Sequence, residues 1–73
     1  MLNMRRKIVE HGMAFRIALI RQRKTQTSVA KELGISPQRI NQWAKKRRFT
    51  PEQMDQVLGV LKMKESELVA LAE

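Results

Sequence analysis

Apolar positions recur with helical spacing along most of this chain. Ile8, Phe15, Ala18 and Leu19 fall on roughly one face, which predicts a helix running to about Arg23. Gly12 interrupts that face near its start. Thr25 is an N-cap for a second helix over 26–33, with Val29, Ala30 and Leu33 as its inner stripe. Gly34 supplies the left-handed backbone that ends a helix cheaply, and Ile35 is expected to tuck under the turn. Ser36 caps a third helix, in which Pro37 takes the first position, where no amide hydrogen is missed. Ile40, Trp43 and Ala44 form its inner stripe, and the pattern predicts this helix over 37–46. Thr50-Pro51-Glu52-Gln53 is a further start signal, a capping box with Pro at the first helical position. Met54, Val57, Leu58 and Leu61 then repeat at helical spacing, and Leu68, Val69 and Leu71 make a last short helix over 66–71. No alternating stretch bounded by turns predicts a strand.

The expected fold is therefore all-α, a compact bundle of about five helices forming one domain over residues 11–73. Residues 1–10, with Arg5, Arg6 and Lys7, read as a basic N-terminal arm or the first turns of a helix. With 73 residues the core is thin, and chains of this size often gain stability from self-association. Cysteine is absent, which excludes a disulfide staple and a thiol nucleophile. His11 stands alone beside Glu10, too little for a metal site. There is no Gly-rich phosphate loop and no Ser/His/Asp set, so neither an enzyme nor a cofactor is expected. The longest apolar run, Ile17 to Ile20, is far short of the ~20 residues of a spanning helix. A cytoplasmic location and no membrane partner are the expectation. Trp43, Phe15 and Phe49 belong in the core by their spacing, with Met54 and Met63 as gap-fillers.

Charge changes this picture. The formal net charge is +8, and it is segregated. Residues 1–50 carry thirteen Lys and Arg against Glu10 and Glu32, whereas residues 51–73 carry Lys62 and Lys64 against five acids. A polyanion is the natural partner of the first part. The third helix then has a polar face that the core does not use: Pro37, Gln38, Arg39, Asn41 and Gln42. Gln and Asn amides can pair bidentately with adenine and Arg with guanine, each good pair giving roughly 1–3 kcal/mol of discrimination. These five residues are the candidate base contacts. Helix N-termini bind anions, so Gln26, Thr27 and Ser36 are candidate phosphate contacts. Arg23 and Lys24 join them from the preceding loop, and Lys45, Lys46, Arg47 and Arg48 from the far end.

The words T-Q-T-x-x-A-x-x-x-G-I-S from Thr25 to Ser36, then I-x-x-W at Ile40 and Trp43, resemble the Cro/CI-type helix-turn-helix family of phage repressors and related bacterial regulators. Val57-Leu58-Gly59-Val60-Leu61 and Glu67-Leu68 resemble that family's last two helices, so the likeness covers residues 13–71. It implies a lambda repressor-like DNA-binding domain, in which Gln26 falls on a phosphate-contacting glutamine and Pro37, Gln38 and Gln42 on base-contacting positions. Four departures stand out. Ser28 replaces the family's usual Glu, which implies loss of a capping box. Lys24 replaces an apolar residue, which implies a different first loop. Lys62 and Lys64 replace a helix-ending Gly and a capping Ser, so the last two helices either join differently or run on as one.

The expected function is a sequence-specific transcription regulator of phage, prophage or plasmid type, Cro- or repressor-like. It would bind a double-stranded operator as a homodimer joined through Met63, Leu68, Val69 and Leu71. Trp43 to Leu71 also resembles activators of the CII type, which leaves repressor against activator open. A different class is a protein-interaction module such as an antitoxin-like partner, compatible with the acidic residues 51–73. Nonspecific nucleic-acid coating is a third, for which 4% aromatic residues offer little stacking surface.

Overall fold

A computed structural model describes residues 9–73; the arm over residues 1–8, including Ile8, lies outside the described residues. Those described form five helices and no strand: α1 (His11–Gln22), α2 (Gln26–Leu33), α3 (Pro37–Ala44), α4 (Pro51–Leu61) and α5 (Glu65–Leu71). Each helix sends one large, fully buried side chain to a common centre: Phe15, Val29, Ile40, Val57 and Leu68. Trp43, Phe49, Met54 and Leu61 close around them, and no polar or charged residue among those described is buried. The domain is an all-α bundle with α2 packed tightly on α3 and α1 crossing α3, α4 and α5.

Local chemistry explains the starts. Thr25 Oγ1 accepts from the Ser28 amide at 3.0 Å, and the Thr25 amide donates back to Ser28 Oγ at 3.3 Å. The capping box expected to be lost is therefore present, because a serine hydroxyl reaches the same amide as the usual carboxylate. Ser36 Oγ accepts from the Arg39 amide at the head of α3. Thr50 and Gln53 form a full reciprocal box at the head of α4. At α5 the Lys64 amide donates to Glu67 Oε1 at 2.8 Å, so a glutamate supplies what the missing Ser would not.

The ends are less conventional. Gly34 holds φ 72°, as the turn between α2 and α3 requires. Arg23 and Lys62 both hold φ 57°, a left-handed backbone that costs an L-residue roughly 1–2 kcal/mol. Lys62 thus does the work of a helix-ending Gly, and α4 and α5 do not run on as one helix. Lys62→Gly is expected to raise stability by about 1 kcal/mol, or a thermal midpoint by roughly 4–8 °C. Calorimetry showing no rise would mean that the backbone at this position is not left-handed.

α1 has no side-chain cap: Glu10 makes no such bond. Its first amides instead donate to the chain leaving α3, His11 to Arg47 O and Gly12 to Lys46 O, both at 2.9 Å. That capture explains why α3 ends at Ala44 rather than at residue 46, since the Lys46 and Arg47 carbonyls are turned toward α1. A Cβ at position 12 would lie 2.5 Å from Ala44 O and 2.7 Å from Lys46 O, so only glycine fits. Phe49 completes the junction. Its amide donates to His11 Nδ1 at 2.9 Å, and its ring packs against His11, Phe15 and Trp43. At the other end of α1, Gln22 Nε2 donates to Leu61 O, pinning α1 to the close of α4.

Candidate nucleic-acid interface

The candidate base-contacting side chains stand on α3. Ile40, Trp43 and Ala44 are buried, which fixes the helix's rotation and turns its other side outward. Pro37, Gln38, Arg39, Asn41 and Gln42 are all exposed on that side. Trp43 is 6% exposed, so its indole packs the bundle and is not offered for stacking.

One contact ties this face to α2. Asn41 Nδ2 donates to Gln26 Oε1 at 3.2 Å. The bond joins the first residue of α2 to the second turn of α3, and it fixes what each amide has left. Asn41 keeps an acceptor oxygen, and Gln26 keeps the N–H donors of Nε2. A donor at the N-terminus of a helix suits a phosphate oxygen, and an acceptor on the outer face of the neighbouring helix suits an exocyclic amine.

On its other flank α3 borders an open cleft of about 630 Å³ lined by Arg39, Gln42 and Lys46 together with Glu52, Gln53 and Gln56 of α4. Lys46 is held there, with Nζ donating to Gln53 Oε1 at 2.9 Å. Three donors on an ammonium leave two for another acceptor. The residues from α4 were missed by the sequence reading, which took Thr50 to Gln53 as a helix start alone. Nothing in a linear pattern places Gln56 beside Gln42.

Residues 15–68 match the profile of the family described as Helix-turn-helix. The chain belongs to the Cro/CI-type helix-turn-helix family. Searches of curated proteins and of solved structures return no match. α2, the Gly34 turn and α3 form the helix-turn-helix unit. The protein is a DNA-binding regulatory domain. Among its described residues no helix is long and apolar enough to cross a membrane.

The helix-turn-helix unit gathers some of the expected phosphate contacts and disperses others. Thr27 and Ser36 are exposed at the heads of α2 and α3, and Ser36 already accepts from the Arg39 amide. Arg23 is exposed, whereas Lys24 sits 3.5 Å from Glu32 Oε2, which offsets part of its charge. The run Lys45 to Arg48 does not act as one block. Lys45 is exposed, Lys46 lies in the α3–α4 cleft, Arg47 Nε is 3.6 Å from Glu10 Oε2, and Arg48 lines a separate cavity with His11, Asp55 and Glu65. The turn over 45–50 that delivers α1 its hydrogen bonds separates these side chains.

The residues expected at a dimer contact also divide. Leu68 is fully buried in its own monomer and has no surface for a second copy. At the fourth position of α5 it faces the bundle centre, where α1 crosses α5. Met63 and Leu71 are half-buried against the core, and Val69 is half-exposed. Among the described residues, the large apolar side chains that do reach the surface are Met13 and Ile20 of α1.

Proposed function

We propose that the chain is a sequence-specific transcription regulator of Cro or repressor type that binds a near-palindromic operator as a homodimer. The recognition helix α3 enters the major groove, with Gln38, Arg39, Asn41 and Gln42 toward base edges and Pro37 against an apolar base surface. Gln26, Thr27 and Ser36 take phosphates on the near strand, and Lys45 and Lys46 take them beyond the helix end. Half-sites stand about one helical turn apart, ~34 Å. Met63, Val69 and Leu71 keep partly open edges on the side of α4 and α5, which carries fewer cations, and the dimer contact is assigned to them.

The observation that carries this reading is the sidedness of α3. Every residue able to discriminate bases is exposed, and every residue that fixes the helix's tilt is buried. Such an arrangement has no use in a bundle that merely coats polyanions. Selection of bound sequences from random duplexes at near-physiological salt tests it. Recovery of a two-fold motif is expected, and enrichment of no motif would overturn specific readout. On the recovered duplex, Lys46→Ala is expected to weaken binding alike for matched and shuffled sequences. The same change should flatten the dependence of log affinity on log salt by about 0.9, the contribution of one phosphate contact to B-DNA.

A further inference from the structure

Within the run 45–48, Lys46 is half-buried while its three neighbours are exposed, and its ammonium is hydrogen-bonded to an uncharged group. Its backbone is fixed on both sides: the amide donates to Trp43 O at 3.1 Å, and the carbonyl accepts from the Gly12 amide at 2.9 Å. The side chain is fixed as well, with Nζ 2.9 Å from Gln53 Oε1. That oxygen also accepts from the Thr50 amide at 3.0 Å, so both of its lone pairs are engaged. One acceptor thus closes the capping box of α4 and tethers a lysine that leaves α3. The carboxylate of Glu52 lines the same cleft, yet the ion pairs among the described residues are Lys24 with Glu32 and Arg47 with Glu10. Lys46 is held without being neutralised.

A capping box accepts Glu as readily as Gln, and a carboxylate there would gain from the helix dipole. Helix stability alone gives no reason for an amide at position 53. The two side chains differ in what they do to the ammonium: a carboxylate would cancel its charge, whereas an amide oxygen orients it and leaves the charge intact. We propose that Gln53 is a positioning residue for DNA binding, whose neutral oxygen fixes the Lys46 ammonium at the α3–α4 cleft and keeps it available to the duplex backbone. The inference rests on the DNA-binding reading above and extends it to α4, outside the helix-turn-helix unit. A lysine ordered in advance loses less rotamer freedom on binding than a free one, so the tether adds affinity. It adds alike for every sequence, because backbone contacts carry no base information.

The test uses the full chain and the duplex recovered by selection. Gln53→Glu keeps the cap and turns the tether into an ion pair. Its thermal midpoint should match or exceed that of the wild type. Its affinity should fall roughly three- to tenfold near 0.1 M salt, with the salt slope reduced by about 0.9, as in Lys46→Ala. Gln56→Glu is the charge control: it puts the same charge on the same cleft at an exposed residue that makes no bond to Lys46, and it should change affinity and slope less. With Lys46→Ala already in place, the two glutamates should act alike. Thr50→Ala weakens the cap but leaves the tethering oxygen, so it should lower the thermal midpoint and leave the slope unchanged. Gln53→Met, of similar length without the acceptor, should bind matched and shuffled duplexes roughly two- to tenfold more weakly at an unchanged slope, since the charge remains and only its ordering is lost. Circular dichroism checks that each variant folds. Equal effects of Gln53→Glu and Gln56→Glu with Lys46 present would overturn this inference alone, because charge without position would then account for both. A folded Gln53→Met chain that binds as tightly as the wild type would do the same. A wild-type chain that binds no duplex would overturn it together with the reading beneath it.

Discussion

Gly12→Ala is expected to be the most damaging single-methyl change in this chain. The added carbon would lie 2.5 Å from the Ala44 carbonyl oxygen, 2.7 Å from its carbon and 2.7 Å from Lys46 O. All three are backbone atoms, so no side-chain rotation relieves the clash. α1 and the end of α3 must move apart, and the bonds from His11 to Arg47 O and from Gly12 to Lys46 O lengthen with them. Overpacking of this kind costs about 1–3 kcal/mol, and each weakened hydrogen bond adds about 0.5–1.5 kcal/mol. A loss of roughly 3 kcal/mol is a large share of the ~4–11 kcal/mol expected for a domain of this size. The thermal midpoint should fall by roughly 10–20 °C. Gly59→Ala is the matched control. It lies on exposed α4 with nothing within 4 Å of a new Cβ, so it should stabilise by about 0.5–1 kcal/mol. Calorimetry finding the two variants alike would show that α1 does not dock on the chain after α3.

The second large effect falls on specificity. Gln38 and Gln42 are exposed, lie one turn apart on α3 and make no hydrogen bond within the described structure that their loss would break. Replacing both by Ala should leave stability nearly unchanged, since Ala is the best helix former. Each bidentate base contact is worth roughly 1–3 kcal/mol of discrimination, so the pair together should give up 2–6 kcal/mol, a factor of at least about thirty. Binding to a shuffled duplex should barely change, because phosphate contacts supply most of that affinity. Asn41→Ala should behave differently. Breaking the bond to Gln26 loosens α2 and α3 together, so it lowers affinity for both matched and shuffled sequences, and more for the matched one. Equal losses on both duplexes in Gln38→Ala/Gln42→Ala would remove base reading from this face.

What the linear pattern revealed was what neighbours along the chain decide. Thr25, Ser36 and Thr50 cap helices because their hydroxyls reach an amide three residues on, and Pro37 and Pro51 open helices for the same local reason. The inner stripes of α2, α3 and α4 follow from helical period, and Ile40 and Trp43 are buried where that period puts them. The rest depends on residues distant in sequence. Gly12 reads as a break in a helix until Lys46 O is beside it. His11, dismissed as a metal ligand, accepts a hydrogen bond from the Phe49 amide thirty-eight positions away. The end of α3 came two residues early because α1 captures its outgoing carbonyls. Ser28 was read as the loss of a cap because family habit favours Glu there, although hydroxyl geometry serves. Leu68 was assigned to a dimer although the crossing of α1 over α5 buries it. On the candidate interface, the outer face of α3 was readable, but Gln26 as a partner of Asn41, and Gln53 and Gln56 as walls of the cleft, were not.

The central claim is that α3 lies in the major groove with its amides and guanidinium on base edges. Methylation interference on the selected duplex separates the grooves directly, since guanine N7 faces the major groove and adenine N3 the minor groove. The account predicts that N7 methylation blocks binding within each half-site, at two clusters about one helical turn apart. Interference from adenine N3 methylation alone, or from neither modification, would contradict it.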